Sequence, residues 1–272
     1  MITKCKKFMV TVVTCSLSSF AMGEQNNNQR DRLDTILSSQ VMRVCIWPDY
    51  YRISFRNPRT FELEGIDIDM AHALASHLNV DLEFIDSSFA ELAINITEDR
   101  CDIAMRRVGI RDDRKPYMDF TQPHLRSGIY AVARTNNQQI QQWSDIDQLG
   151  NIVVVQKGTY MEPVMKDKLQ QAELSVVDTF MGREQEVLSG RADVFMTDYP
   201  YGLRMAHLTD WANLISPPQP FALTDYAYAV PKNEERWLEA VNQFIEKVKE
   251  DGTLARFAAK HELEPIAVLT NN

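Results

Sequence analysis

The sequence predicts an α/β protein: parallel sheets flanked by helices on both faces, built as two similar lobes. Three observations predict it. From Met42 onward, short runs rich in Val and Ile alternate with segments of helical periodicity, the pattern of strand–helix–strand units. The stretches RCDIAM (100–105) and RADVFM (191–196) share one pattern, Arg-x-Asp, two apolar residues and Met, 91 positions apart. A chain of 272 residues with 44% hydrophobic content and only 10 Gly and 11 Pro has enough apolar material for one large domain or two ordinary ones.

Taken in order, the chain opens MITKCKKFMVTVVTCSLSSFAMGEQ. Lys4, Lys6 and Lys7 precede a mostly apolar stretch from Phe8 to Ala21, with small residues at Ser19 and Ala21. This predicts a secretory signal over 1–21, cut after Ala21 or else after Gly23, and export to the periplasm. Thr14 is a poor residue ahead of a lipidated cysteine, which argues against Cys15 as an anchor. No later segment approaches the roughly 18 apolar residues that a membrane helix needs. Loss of three lysines takes the formal charge from −9 to −12, which disfavours nucleic acid as a partner.

After a lead segment (22–40), MRVCIW, DLEFID, CDIAM, IYAVA, NIVVV, LSVVD, DVFMT and YAYAV read as buried strands, bounded by polar or turn residues. IDIDMAHALASHL, MEPVMKDKLQQ and GREQEVLSG read as helices. Beyond Pro231, the residues Trp237, Val241, Phe244, Ile245 and Val248 mark one face of a long helix that closes near Gly252. With Cys5 and Cys15 removed in the signal, Cys45 and Cys101 meet an oxidising compartment. A disulfide is expected between them, the alternative being two buried thiols. The five histidines lack metal-ligand spacing, and neither a metal nor another cofactor is expected.

In open α/β sheets, ligands bind at the carboxyl ends of strands. Arg106-Arg107-Val108-Gly109-Ile110-Arg111-Asp112-Asp113-Arg114 follows the first echoed strand, and Thr197-Asp198-Tyr199 the second. One lobe offers cations and the other a carboxylate, a pair suited to an amino acid.

The motifs EGIDIDMA (64–71), RCDIAM with the Gly-Ile-x-x-x-Arg element ending at Arg114, DFTQPH (119–124), QKGTYMEPV (156–164) and GRADVFMTD (190–198) together resemble the family 3 extracytoplasmic solute-binding proteins, amino-acid receptors of ABC importers. The likeness runs from about Leu33 to Leu263. RLDTIL, PPQPF and YAYAVPK are similar to the branch that contains cyclohexadienyl dehydratase. The resemblance implies a type II periplasmic-binding-protein clamshell. Lobe 1 would comprise 41–130 and 224–272, lobe 2 would comprise 131–223, and two hinge strands would lie near 130–136 and 221–230. It implies a monomer that delivers its amino acid to a membrane permease.

Carried over by position, the resemblance makes Arg114 the grip on the ligand α-carboxylate, for which a planar guanidinium fork is suited. Gly109 adds a backbone contact, and Thr159, at a helix start, a second one. Asp198 would receive the α-ammonium; by its own chemistry it could equally cap the helix that follows. Tyr50 and Phe89 would form a stacking wall, with Phe89 otherwise simply core. Asp49 would be a second ammonium contact and Trp47 a further lining residue. Arg111, beside Asp112 and Asp113, reads as a solvated salt bridge. Arg106 and Arg107 depart from the family pattern. Because side chains alternate along a strand, at most one faces the cleft, and position favours Arg107. An unpaired cation there favours an acidic amino acid, whereas an ion pair to a carboxylate such as Asp49 would cancel that preference.

Two alternatives stay open. A prephenate or arogenate dehydratase would need a carboxylic general acid where this chain has Tyr201, and Glu162 is the one nearby carboxyl to nominate. A ligand-binding partner of a membrane sensor would use the same clamshell. A non-enzymatic receptor is the expected outcome.

Overall fold

The computed structural model describes residues 31–270 together with Met1 and Ile2; apart from those two, the expected secretion signal lies outside the described residues. The chain runs α1 (Arg32–Ser39), β1 (Val41–Ile46), β2 (Asp49–Tyr50), β3 (Ser54–Arg56), β4 (Leu63–Glu64), α2 (Ile66–Leu78), β5 (Asp81–Asp86), α3 (Leu92–Thr97), β6 (Ile103–Gly109), β7 (Met118–Phe120) and β8 (Leu125–Ser127). It continues through β9 (Tyr130–Arg134), β10 (Ile152–Gln156), α4 (Met161–Lys168), β11 (Glu173–Val177), α5 (Phe180–Leu188), β12 (Val194–Thr197), α6 (Tyr199–Leu208), β13 (Ala212–Ile215), β14 (Thr224–Pro231), α7 (Glu235–Glu250) and α8 (Thr253–Lys260).

The strands form two main sheets of one design. The first runs β5-β1-β6-β14-β7, with β8 also paired to β14; the second runs β11-β10-β12-β9-β13. In each, three parallel strands come first and the echoed strand is third: β6 carries RCDIAM's apolar residues and β12 those of RADVFM. In each, the next strand is antiparallel, β14 beside β6 and β9 beside β12. The sheets are therefore mixed rather than purely parallel, because the chain changes sheet at these strands. It leaves the first sheet after Ser127, enters the second at Tyr130, and returns between Ile215 and Thr224. Tyr130–Arg134, expected as a hinge, is hydrogen-bonded on both edges within the second sheet.

Local chemistry explains the helix ends that matter for the site. The α2 helix follows Gly65, whose φ of 134° and approach to the Ile53 backbone leave no room for a Cβ. Asp67 and Asp69 then occupy the first turn, where carboxylates complement the helix dipole. The α6 helix is capped by Asp198, which accepts from the Tyr201 amide at 3.0 Å, with Pro in its first turn. On α7, the five apolar residues read from the sequence are all buried, and Trp237 Nε1 donates to the Asp102 carbonyl (2.8 Å).

β6 separates two cores. Ile103 and Met105 face the main one, while Ala104 and Val108 face a smaller cluster around Cys45 and Cys101, which form a disulfide. Among the described residues no helix is long and apolar enough to cross a membrane.

Candidate functional site

The site forms where β6 and β12 end. Opposite β14, β6 carries extra residues between its Ala104 and Val108 pairings, and Arg107 takes a φ of 53° within this bulge. Bulges re-aim side chains beside functional sites. The Arg107 amide, turned out of the ladder, donates to buried Asp67 (2.7 Å); the other Asp67 oxygen accepts from Tyr228 Oη (3.1 Å) and meets His124 Nε2 (3.2 Å).

So held, the Arg107 side chain crosses to the second lobe. Its Nη1 donates to Tyr50 Oη (2.7 Å) and to the Asp198 carboxylate, and Tyr50 Oη also donates to that carboxylate. The guanidinium lies 3.7 Å from the Tyr226 ring centre. Burial opposes its charge, but Tyr226, Tyr50 and Asp198 outweigh this and raise its pKa above the ordinary arginine value. Asp198 thus caps α6 with one oxygen and binds Arg107 and Tyr50 with the other. Of the two roles weighed for Asp198, the helix cap is present, and the oxygen left over is taken by Arg107 and Tyr50.

Arg114 folds back over the end of β6. It donates to the Gly109 carbonyl (3.0 Å) and, across the lobes, to the Gly158 carbonyl (2.9 Å). Burial first and the charge of Arg111 second push it down to about 10. Arg111 makes the expected pair with Asp113 but also donates to the Thr159 carbonyl (3.0 Å), a second link between lobes. The Thr159 hydroxyl bonds to Gln156 O (2.8 Å), and Glu162 accepts from the Gly158 amide (2.8 Å), closing the loop ahead of α4.

Tyr50, Phe89, Arg107, Gly109, Arg114, Thr159 and Asp198 line one cavity, together with Tyr160, Met161, Phe180 and Tyr226. The side chains nearly fill it, leaving about 20 Å³, room for roughly one water. Burial raises the phenols of Tyr50 and Tyr160 and pushes Tyr226 up to about 12, so all three stay neutral donors at neutral pH.

Asp49 is not part of this cluster. It is exposed on β2 and lines a separate cleft, so the carboxylate that pairs with Arg107 is Asp198. Trp47 stacks on Phe180 of the second lobe, with ring centres 4.0 Å apart. Arg106 points to the other face of β6, toward Ser87 and Phe89. Tyr226, Tyr160, Met161 and Phe180 were not singled out from sequence. Tyr226 and Met161 lie within a strand and a helix pattern already explained by burial, Tyr160 and Phe180 lie just ahead of helix patterns, and only the meeting of distant segments distinguishes them. Among the described residues no cluster of His, Cys, Asp or Glu could hold a metal ion.

The two groups weighed for the dehydratase alternative are both engaged. Tyr201 Oη is bound to Glu184, and burial raises its pKa; Glu162 is held by Gly158.

Comparison with known proteins bears on the fold and the family. The chain is 31% identical over 237 residues to cyclohexadienyl dehydratase of Pseudomonas aeruginosa, covering 87% of each protein. It is 28% identical over 199 residues to the L-cystine-binding protein of Escherichia coli, covering 73% of this chain and 74% of that one. The crystal structure of an ancestral amino-acid-binding protein, a precursor of cyclohexadienyl dehydratase, superposes with a TM-score of 0.76 at 29% identity, covering 84% of this chain and 98% of that one. The relatives are mostly non-enzymatic amino-acid-binding proteins, and the architecture is that of type II periplasmic binding proteins. Residues 42–264 match the family model for bacterial extracellular solute-binding proteins, family 3, and the chain belongs to that family.

Proposed function

We propose that this amino-acid-binding protein takes an amino acid with a second acidic group, in the periplasm, and delivers it as a monomer to the permease of an ABC importer. The observation that carries the acidic preference is a charge imbalance at the strand ends. Arg107 and Asp198 neutralise each other, so Arg107 itself no longer argues for an acidic side chain; Arg114, which lines the cavity, and Arg106, buried beside it, hydrogen-bond to no carboxylate among the described residues. A neutral amino acid brings one negative and one positive charge and leaves that excess in place. An acidic one reduces it, where burial makes unpaired charge costly.

In this reading Arg114 takes the α-carboxylate, helped by the backbone at Gly109 and Thr159. Asp198, shared with Arg107 and Tyr50, takes the α-ammonium, and Phe89 and Tyr50 form the wall. Asp49, exposed elsewhere, has no part. Residues 41–130 and 224–272 act as one lobe and 131–223 as the other, closing on the ligand, and residues 1–21 direct export. Charge-assisted hydrogen bonds contribute roughly 1.5–3 kcal/mol each. Two or three of them, less the cost of ordering, correspond to an affinity of about micromolar.

Calorimetry on the mature chain with the common amino acids, and with prephenate and arogenate under absorbance monitoring, tests this. Saturable binding, strongest for glutamate or aspartate and without turnover, is the expected result. Turnover of either cyclohexadienyl acid, or binding confined to neutral or basic amino acids, would overturn it.

A further inference from the structure

Arg106 is fully buried on the face of β6 away from Arg107. Its Nη1 donates to Ser87 Oγ (2.6 Å), while Nε and Nη2 have no protein partner. Arg107 and Arg183 leave the same two atoms unpartnered, but their charges are otherwise met. Arg107 has Asp198, and Arg183 is faced by the rings of Phe180, Phe195 and Tyr201 at 4.2 to 4.8 Å. Arg106 has one ring, Phe89, at 5.6 Å, and among the described residues no carboxylate pairs with it. Burial, and then the charge of Arg114, push it down to about 9. A buried cation without a counter-ion is a net cost to the fold, and such local violations concentrate where function uses them.

The surroundings say what kind of group could meet it. Phe89 both lines the inner cavity and covers the Arg106 guanidinium, so one ring separates this cation from the cavity. Ser87, on the other side, is fixed by Asn95 and lines the neighbouring cleft of about 570 Å³. That cleft also presents Asp49, Asp86, Glu91 and Asp178 against one cation, Arg204, a predominantly acidic lining that disfavours an anion approaching from outside. An anion therefore reaches Arg106 from the inner cavity, past Phe89. Arg114 lines the same cavity as Phe89, the ring that lies against Arg106.

We propose that Arg106 is the seat of the ligand's second anionic group, a side-chain carboxylate that supplies the counter-ion this guanidinium lacks, with Phe89 as the partition that moves aside. This rests on the acidic-ligand reading given above.

The test is calorimetry of the mature chain with glutamate, aspartate, glutamine and asparagine, for the wild type, Arg106→Met and Arg106→Gln, with thermal unfolding of each in the absence of ligand. The wild type should prefer the acids by about tenfold or more, equivalent to about 1.4 kcal/mol. Either variant should lose that preference, hold its affinity for the amides, and unfold no lower than the wild type. An acid preference kept in a folded variant would overturn the proposal and leave the acidic reading standing. So would affinity lost equally for acids and amides with a lower melting temperature, which makes Arg106 structural. A wild type indifferent to the side-chain charge would instead remove the acidic reading and this proposal with it.

Discussion

At Asp198 two demands meet on one carboxylate: it caps α6, and it is the counter-ion of a fully buried arginine. Removing one partner of a buried pair costs about 3–5 kcal/mol, because the other charge is left uncompensated, whereas replacing both is often neutral. Asp198→Asn should therefore lower the melting temperature by roughly 6 °C or more for a chain of this size, as well as weaken binding. The double variant Arg107→Met with Asp198→Asn should recover most of that loss. Equal destabilisation in the single and double variants, measured by thermal unfolding, would mean the pair is not coupled. Arg114 differs, since its hydrogen bonds go to carbonyls rather than to a carboxylate. Arg114→Ala should leave the melting temperature within a few degrees while reducing affinity about 100-fold, the worth of one strong charge-assisted bond. A calorimetric affinity near that of the wild type would displace Arg114 from the α-carboxylate. That opposite charges follow two strands of one pattern was legible in the sequence, and the family resemblance singled out Arg114 and Asp198 among them. That Arg107 and Asp198 meet was not legible, because it depends on a bulge and a left-handed backbone that no local propensity signals.

Among the elements, the eight apolar runs read as buried strands all form; the central ones are buried on both faces, whereas the edge strands β5 and β11 are only partly buried and expose Asp81, Glu83 and Glu173. The short strands β2, β3, β4, β7, β8 and β13 carry too few residues for a period to show, whereas α6, with Pro200 in its first turn, is the helix that Asp198 was expected to cap. Arg111, expected as a solvated salt bridge, keeps its pair with Asp113 but also joins the lobes through Thr159 O, as Arg114 does through Gly158 O. Arg111 keeps its own counter-ion, Asp113, so removing it leaves no buried charge behind. Arg111→Ala should raise the ligand dissociation rate by about tenfold, one modest hydrogen bond, with the association rate little changed. Stopped-flow fluorescence reads both, and an unchanged dissociation rate would show that the link does not resist opening. The disulfide acts on a different element pair, tying β1 to the entry of β6 across 56 positions. In the chain-entropy account a loop of that length stabilises by about 4 kcal/mol. Cys45→Ala with Cys101→Ala should lower the melting temperature by roughly 8–16 °C, and a drop of a degree or two would assign the bond a minor part.

For the whole molecule, the repeated sheet order brings strand ends from both lobes to one cavity, and neither lobe alone carries both signs of charge in its lining. The side chains also nearly fill the space between them, so a ligand can enter only if the lobes part or Arg107 gives way. These routes differ in what solution scattering sees. If the lobes part about the crossings at 128–129 and 216–223, the ligand-free chain samples an open form and the radius of gyration falls on saturation with ligand. If Arg107 alone moves, the radius is the same with and without ligand. Trp47 stacked on Phe180 and the two arginine links join the lobes in the closed form, which favours parting, because these contacts bridge the lobes without covalent ties. A ligand can shift such an equilibrium only through contacts made more strongly in one form. Arg114 reaches a lobe 2 carbonyl from lobe 1, so its loss should weaken closure itself. The expectation is a smaller radius for the wild type at saturating glutamate than without it, and a radius insensitive to glutamate in Arg114→Ala at the same concentration. An identical radius for the wild type in both conditions, with calorimetry showing saturation, would rule out closure by parted lobes and leave side-chain displacement as the route of entry.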